Sequence, residues 1–338
     1  MRTQFIVLSF VLGACGNASG AVWNISPDGT GDAPTIQAAV DLASPGDEIR
    51  LAPGTYYDAV TRTIQGHSAP RTTTAVAFTS VQVHLTSVGG ADVTFIDGEN
   101  SHHGLMIVDG GDATVSGITF RNCARSGGEI WGGGIMVHRS SPTIEDCAFV
   151  DCEGWAGGGV FISQGSGAVI RRNKFVNNHG GDLAGGLELF QTSGAIVEHN
   201  TFVGNTATRF GGGLLVNDSS ASLSANIFAN NTAGEWGGGL ACWANTTLAA
   251  DCDLYWNNSA PEDPDFSVAC ALEFGIDGLV YADPLFCDPS NGNYLISSQS
   301  PAAPEHSGIC GLRGACPVGC GPVSVEASSW GQVKVWYR

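Results

Sequence analysis

Acidic and aromatic side chains recur side by side through the middle of the chain. The acidic row contains Glu129, Glu153, Asp182 and Glu235, with Arg209 standing once in the same place. The aromatic row contains Trp131, Trp155, Phe210 and Trp236, with Leu183 in one position. Flat aromatic faces stack on sugar rings, and carboxylates accept sugar hydroxyls or hold a cation such as calcium. In one interpretation, the two rows therefore form a groove for an extended polymer.

A second set of candidate residues comes from the strands that follow glycine runs. If Leu187 and Leu189 point inward, Glu188 and Phe190 point outward, because side chains alternate along a strand. Equivalent outward pairs are Met136 and His138, Phe161 and Ser163, Leu215 and Asn217, and Ala241 and Trp243. This face is more apolar than an exposed sheet needs, so Phe161, Glu188, Phe190 and Trp243 join the rows as ligand-binding candidates.

Two interpretations of these rows stay open. In the favoured one, each ring covers the bare glycine backbone of a neighbouring unit and the acids are solvated loop residues. In the other, the rows bind a ligand. A catalytic role would assign the chemistry to the four acids of the row. Glu129 and Glu153 would lie near the ~5 Å separation of retaining glycosidases, but any stacked column produces that distance.

The elements that must position these side chains form an array. Phe120, Phe149, Phe175, Phe202 and Phe228, followed by Leu254, recur at nearly equal intervals along the chain. Each unit holds three short extended pieces with no helical period between them, which predicts stacked flat coils of an all-β solenoid. Inward columns follow from the spacing: the Phe column, the column of Val115, Ile144, Ile170, Val197 and Leu223, and the column of Ile135, Val160, Leu187, Leu214 and Leu240.

Two further columns mark corners, where stacked amides can bond along the axis. The first contains Cys147, Asn173, Asn200, Asn226 and Cys252, and the second contains Cys123, Cys152, Asn178, Asn205, Asn231 and Asn257. These asparagines are interpreted as structural.

At this point the chain resembles known families. The motif FxxN, at Phe175, Phe202 and Phe228, with glycine runs before an aliphatic residue, resembles the repeats of chlamydial polymorphic outer-membrane proteins. More broadly it is similar to right-handed parallel β-helix proteins of the pectin-lyase type. Residues 35–56 resemble the N-terminal coil of pectin methylesterases, whose catalytic motifs are absent here. The resemblance implies a right-handed parallel β-helix and leaves the activity open.

Outside the array, the sequence predicts a helix and flanking segments. Ile36, Ala39, Val40 and Ala43 form a helical stripe behind Asp32 as the cap, and such a helix would seal the first coil. We expect a signal peptide at 1–20, the β-helix at 21–258 with regular repeats at 112–258, Cys/Pro-rich coils and a cap at 259–322, and a tail at 323–338.

The N-terminus favours export from the cell. Arg2, an apolar run and small residues form a plausible signal peptide, which predicts a secreted or outer cell-surface location. Alternatively, the sequence ending in Cys15 resembles a lipoprotein box, which would lipidate Cys15. No segment is long enough to span a bilayer.

The cysteines indicate the redox compartment, and the net charge limits the classes of partner. Eleven cysteines suit an oxidising compartment, the spacing of Cys123 and Cys152 permits a bridge, and the cysteines at 270, 287, 310, 316 and 320 could staple the C-terminal region. No cofactor or metal site is predicted, with calcium as the alternative; a zinc site is disfavoured, because no CxxC pair with a downstream His occurs. The net charge of −18 argues against nucleic acid and anionic membranes as partners.

Together these observations predict a non-catalytic surface protein that binds a glycan or a protein partner along an extended face. The alternative is a polysaccharide lyase or glycoside hydrolase of the pectin-lyase fold.

Overall fold

A computed structural model describes residues 20–63, 71–109, 112–124, 131–267, 271–274 and 278–323. The chain winds into a right-handed parallel β-helix, and the predicted fold class is confirmed. Each regular coil contributes one strand to each of three parallel sheets, called sheets A, B and C here. The predicted signal peptide and Cys15, the acid Glu129 and most of the tail lie outside the described residues.

The strands of each sheet stack in chain order. Sheet A contains Val22–Ile25, Glu48–Leu51, His84–Ser87, Thr114–Ser116, Thr143–Glu145, Val169–Arg171, Ala195–Glu198, Ser220–Ser224, Thr247–Asp251 and Ala271–Phe274. Sheet B contains Gly54–Tyr56, Thr94–Asp97, Thr119–Arg121, Ala148–Val150, Lys174–Val176, Thr201–Val203, Ile227–Ala229, Leu254–Trp256 and Val280–Tyr281. Sheet C contains Val60–Thr63, Arg71–Thr79, His103–Val108, Ile135–His138, Val160–Ser163, Leu187–Phe190, Leu214–Asn217 and Leu240–Trp243.

Smaller elements lie outside these three sheets. Sheet D, which follows sheet B in four coils, contains Glu153–Ala156, His179–Leu183, Thr206–Ala207 and Thr232–Ala233. The C-terminal module, residues 283–322, contains the strands Phe286–Asp288, Asn293–Ser297 and Val318–Cys320 and the 3₁₀ helices Pro289–Asn291 and Gly308–Cys310. The α-helix is Ile36–Leu42.

The interior is a column of stacked rings. Phe120, Phe149, Phe175, Phe202 and Phe228 are all fully buried, and their neighbouring ring centroids are 5.4, 4.9, 4.5 and 4.8 Å apart. Tyr255 continues the column at 5.1 Å from Phe228. The prediction that Leu254 ends this column is wrong. Phe228 pairs with Tyr255 in the sheet register, so Leu254, its neighbour, points to the other side of the strand.

Two ladders of asparagine side chains hold the corners together. In each ladder the Oδ1 atom accepts from the backbone N–H and the Nδ2 group of the preceding residue at 2.8 to 3.1 Å. The first ladder is Asn173, Asn200, Asn226 and Asp253, and the second is Asn178, Asn205, Asn231 and Asn258. The register that places Tyr255 after Phe228 also explains why Cys252 and Asn257 do not occupy the predicted positions.

The helix seals the first coil as predicted, with a different cap. Ile36, Ala39 and Val40 are buried in the main core. The N-cap is Thr35, whose side chain accepts from the Ala38 N–H at 3.0 Å. Asp32 instead accepts from Asn24, because it lies too early in the chain to reach the first turn.

The C-terminal module folds back along the outer side of sheet B. The Gly314 N–H donates to the Ala225 carbonyl at 2.7 Å, and the Ala315 N–H donates to Thr201 Oγ1 at 2.9 Å. Ile227, Leu254, Phe286 and Ile296 share an apolar cluster between module and sheet. Disulfides Cys252–Cys310 and Cys287–Cys320 fasten this arrangement.

Cys123 and Cys152 remain free thiols, although their spacing permits a bridge. Both lie buried in the corner column of the asparagines. Their sulfur atoms contact backbone carbonyls, Cys123 Sγ that of Arg121 at 3.3 Å and Cys152 Sγ that of Phe120 at 3.5 Å. They thus fill corner positions that asparagines occupy in later coils.

Candidate functional site

An outer layer covers sheet C. We call this layer the strap, formed by sheet D and the residues that follow it up to each glycine run. Its inner row is held by parallel bridges between successive coils, at Trp131, Ala156, Leu183, Phe210 and Trp236. This row packs on the outward side chains of sheet C, among them Met136, Phe161, Leu215 and Ala241, and makes a second apolar core.

The strap corrects part of the predicted ligand-binding face. Phe161, Glu188 and Phe210 retain only 2%, 1% and 0% of their accessible surface. Their strand orientation is as predicted, but the strap covers the outer side of sheet C and no ligand can reach them. Trp131 and Trp236 are half-buried in the same layer. The favoured interpretation places these rings over bare glycine backbone; in the structure, this inner row packs on the outward side chains of sheet C.

A second row of strap residues faces solvent. Because Ala156 pairs with Leu183, Trp155 precedes the bridge position on its coil as Asp182, Arg209 and Glu235 do on theirs. Trp155 therefore lies in line with the acids, and not in the aromatic row predicted from the sequence. It is 36% exposed. We call Trp155, Asp182, Arg209 and Glu235 the exposed row; it spans three coil spacings, ~14 Å.

Glu153 lies apart from the other acids. It is exposed, and it pairs with His179 at the start of the strap strand. The predicted column of four catalytic acids is therefore not formed within the described residues, since Glu153 is displaced by two positions along its strand.

Arg209 organises the exposed row. Its Nε atom donates to Glu235 Oε1 at 2.9 Å, and its Nη1 atom lies 3.8 Å from Asp182 Oδ2. The guanidinium carbon lies 4.3 Å from the centroid of the Phe210 ring and 5.7 Å from that of Trp243. The neighbouring carboxylates raise the pKa of Arg209, led by the hydrogen bond to Glu235. Both acids therefore share one cation, which is stacked on an aromatic ring, and the three charged groups together keep one net negative charge.

Trp243 extends the row onto the rim of sheet C. Its ring meets Phe210 edge to face at 4.9 Å and is 38% exposed. Phe190 and Asn217 precede it in the same outward column of the sheet. Beside this column runs an exposed polar ladder, in which Gln164, Gln191, Asp218 and Asn245 are joined by side-chain hydrogen bonds of 3.2 to 3.4 Å.

Glu188 is a buried acid beneath this surface. It lies between Phe161 and Leu215 in the sheet register. Its Oε1 atom accepts from Asn217 Nδ2 at 3.3 Å, and its Oε2 atom has no hydrogen-bond partner among the described residues. Burial raises the pKa of Glu188 to about 8, and the charge of Asp182 adds to the rise. The group is therefore protonated at neutral pH, and its burial keeps it from acting on a bound polymer.

The acids of the exposed row are held by an ion-pair network. Two acids of the exposed row are paired with Arg209, and the described residues contain no group of three or more side chains that could hold a metal ion. No described helix has the length and apolar character needed to cross a bilayer. The sequence missed the pairing of Arg209, although a single cation in a row of acids was the available signal. It also missed Asp218 and Asn245, which lie outside the repeated columns.

Comparisons with known proteins bear on the fold. The family described as a right-handed β-helix region matches residues 81–258, more than half of the chain. No curated protein sequence matches the chain.

Solved structures with a similar chain path include a pectate lyase, Pel9A, at 14% identity and a TM-score of 0.44, covering 89% of this chain and 96% of that one. An alginate lyase from Paenibacillus sp. str. FPU-7 is 16% identical, with a TM-score of 0.36, covering 73% and 94% of the two chains. These identities and scores are too low to support any inference about activity.

Proposed function

The chain belongs to the right-handed β-helix region family, and from that premise we propose that it is a non-catalytic protein that binds a glycan along its exposed row. The observation that carries this proposal is the pairing of Asp182 and Glu235 with Arg209 between the exposed rings of Trp155 and Trp243. The rings offer stacking platforms. The two carboxylates and the guanidinium offer directional hydrogen bonds to hydroxyls.

The geometry of the row suits an extended ligand. Successive coils place equivalent residues ~4.8 Å apart, so a polymer lying along the axis would meet a ring, an acid, a cation and a second acid in turn. The ladder from Gln164 to Asn245 runs parallel to the row and supplies further donors and acceptors. A neutral or weakly charged glycan is favoured, because the chain carries a net charge of −18.

The proposed location is outside the cell or on its outer surface. Disulfides Cys252–Cys310 and Cys287–Cys320, and a further bonded cysteine, Cys242, support an oxidising compartment. Secretion by the N-terminal segment and attachment through a lipidated Cys15 stay proposals of the sequence.

The test is a panel of soluble polysaccharides assayed for binding by calorimetry and for chain cleavage, with and without calcium. We expect binding without cleavage, and a loss of about ten-fold in affinity for Trp155→Ala or Trp243→Ala, because one aromatic contact is worth on the order of 1 kcal/mol. Tyr57→Ala is the matched control, since Tyr57 is an exposed ring, 54% accessible, outside the strap.

Two results would contradict the proposal. Equal affinity of both tryptophan variants and the wild type would remove the exposed row as the binding surface. Cleavage of any glycan that is lost in Glu153→Gln would establish the alternative, a polysaccharide-degrading enzyme.

A further inference from the structure

A second cleft lies on sheet B, apart from the strap and its exposed row. The C-terminal module covers the later strands of sheet B and stops at Pro289–Asn291 and Tyr294. Between this edge and the earlier strands remains a cleft of about 430 Å³. We call it the sheet B cleft; Phe95, Thr119, Arg121, Lys174, Ser290 and Tyr294 are among its lining residues.

The cleft brings two cations together in an acidic protein, each of them paired with one aspartate. The whole chain has 14 Lys and Arg residues against 32 Asp and Glu. Arg121 and Lys174 both line the cleft. Sheet register places Lys174 two coils beyond Arg121, because Arg121 pairs with Val150 and Val150 pairs with Val176. Two coil spacings correspond to ~10 Å along the axis between the two backbones, a separation that these two long side chains can bridge to reach one charged group.

Arg121 is held with its terminal nitrogens available. Its Nε atom donates to Asp97 Oδ2 at 2.7 Å, and its guanidinium carbon lies 4.4 Å from the centroid of the Phe95 ring. Within the described part of the chain this is its ion pair, and it uses Nε alone. A guanidinium fixed on one side and stacked on a ring presents its two other nitrogens as a fork that matches an oxyanion.

Lys174 is a looser cation. Its Nζ atom lies 3.4 Å from Asp92 Oδ1, and the Asp92 side chain is 89% exposed. An ion pair of this kind contributes little, so a ligand oxyanion could replace Asp92 without a large cost. The C-terminal module adds the Tyr294 ring and the Ser290 hydroxyl, and the strand of Arg121 adds the Thr119 hydroxyl. Both hydroxyls donate to protein oxygens, Thr119 to the Ala91 carbonyl and Ser290 to Asp288, so each can accept a hydrogen bond from a sugar hydroxyl.

We propose that the sheet B cleft binds a small sugar that carries an oxyanion, with Arg121 and Lys174 holding the charged group and Tyr294 and the hydroxyl residues holding the ring. The oxyanion is a carboxylate, a phosphate ester or a sulfate ester, which share this chemistry. Asp92 and Asp97 oppose a second negative charge, so the site favours a ligand with few charges. This site is independent of the glycan surface proposed on the strap.

Titration calorimetry of the full chain in low and high salt tests the proposal with four probes: glucuronate, glucose 6-phosphate, glucose 6-sulfate and glucose. We expect at least one acidic sugar to bind, with affinity that falls in high salt, and glucose to bind at least ten-fold more weakly. The acidic probe that binds identifies the source of the oxyanion. Inorganic phosphate and sulfate serve as competitors and should bind more weakly than the acidic sugar.

Lys174→Gln should weaken the acidic sugar about ten-fold or more, because it removes a charge-assisted contact. Arg121→Lys keeps the charge and the partner of Asp97 but removes the fork, and it should also weaken binding. The matched control is Arg50→Gln, an exposed cation paired with Glu48 on sheet A, which should leave the affinity unchanged. Trp243→Ala should leave it unchanged as well, which separates this site from the strap.

Three outcomes would overturn the proposal: no acidic probe binds, glucose or an inorganic anion binds as tightly as the acidic sugars, or Lys174→Gln binds them with the affinity of the wild type. Thermal unfolding of each variant shows whether it is folded. Lys174→Gln keeps the test decisive if Arg121→Lys does not fold, because the Lys174 ion pair with Asp92 is loose.

Discussion

At the scale of single residues, Glu188 shows how a repeat fold tolerates one costly group. The position lies in a column that is otherwise apolar, between Phe161 and Leu215. Burying a carboxyl with a single hydrogen bond disfavours its charged form. The side chain therefore keeps its proton in the folded state, and the folded state loses stability as rising pH ionises the same carboxyl in the unfolded chain.

This environment predicts the pH dependence of folding. The carboxyl titrates near 4.5 when unfolded and near 8 when folded. Between these values the folded state binds a proton that the unfolded state has lost, so its contribution lowers the free energy of unfolding as pH rises, by about 1.4 kcal/mol per pH unit. Glu188→Gln should remove this slope and be more stable than the wild type above pH 8, as measured by urea unfolding from pH 5 to 9.

The control for this experiment is Glu198→Gln, on the partly exposed outer side of sheet A. It should keep the pH slope of the wild type. Asp253, a second buried acid whose pKa burial raises to about 7, is present in every variant and cancels in the comparison. Parallel curves for Glu188→Gln and the wild type would show that the carboxyl is ionised or hydrated in the folded state.

At the scale of elements, the asparagine ladders supply hydrogen bonds between successive coils at the corners, as the sheets do between the strands. Asn200 shows that one side chain makes several of these hydrogen bonds. Its Oδ1 atom accepts from the N–H and the Nδ2 group of Asn173, and its Nδ2 group donates to the Ile170 carbonyl at 2.8 Å. The corner backbone is fully buried, so without these bonds its polar groups would be left unpaired.

We therefore predict that Asn200→Ala lowers the free energy of unfolding by about 3 kcal/mol or more, because several buried polar groups lose their partner together. The substitution leaves the buried backbone N–H of Asn173 without an acceptor, which costs about 1 to 3 kcal/mol. It also removes the side-chain hydrogen bonds that Asn200 makes with Asn173 Nδ2, the Ile170 carbonyl and Asn226 Oδ1, each worth about 1 kcal/mol. Urea unfolding measures the difference.

Asn245→Ala is the control for the ladder. Asn245 is exposed, and its side chain bonds only to Asp218 among the described residues. Surface substitutions of this kind usually change the free energy of unfolding by less than about 0.5 kcal/mol, and we expect the same here. Equal effects of the two substitutions would mean that the ladder contributes no more than a surface hydrogen bond.

At the scale of the whole molecule, the β-helix covers two of its three sheets. The strap covers sheet C and the C-terminal module covers the later part of sheet B. Sheet A faces solvent with ion pairs such as Arg171 Nε to Glu145 Oε2 at 2.7 Å. The glycan surface and the sheet B cleft both lie at the margins of these covering layers, because a margin joins exposed side chains to a rigid sheet.

This arrangement predicts that the C-terminal module can be released without unfolding the coils. The bridge Cys252–Cys310 ties the module to the last regular coils. Its loss in a variant with Cys252→Ser and Cys310→Ser should cost about 2 to 4 kcal/mol and loosen the module. Limited proteolysis should then cut within residues 283–322, while amides of the central coils stay protected from hydrogen exchange. Mutation is preferable to a reductant, which would also break the disulfide of Cys242.

The result that contradicts this prediction is simultaneous loss of protection in the module and in the coils around Phe175 and Phe202. It would show that the module and the β-helix unfold as one unit. The variant with Cys147→Ser controls for cysteine replacement, since Cys147 is a free thiol.

By itself, the sequence determined the coils, the ring column and both corner ladders. Once strands pair in parallel, a nearly fixed period brings equivalent residues of successive coils into contact. The position of a residue within the repeat therefore predicts its neighbours in the structure. The predicted columns are wrong at Leu254, Cys252 and Asn257. One extra residue in this coil shifts the register by one position, while the residue types still match the repeat.

Only the tertiary structure decided which outward side chains meet solvent. Alternation along a strand places Phe161 and Glu188 on the outer side of sheet C, but no local pattern shows that the strap lies over them. The same holds for the module on sheet B, whose contacts join Gly314 to Ala225 and Ala315 to Thr201 across distant parts of the sequence. Burial depends on such long-range packing. A segment that packs on the coils without being part of the repeat leaves no periodic pattern in the sequence, so its position cannot be predicted from the period.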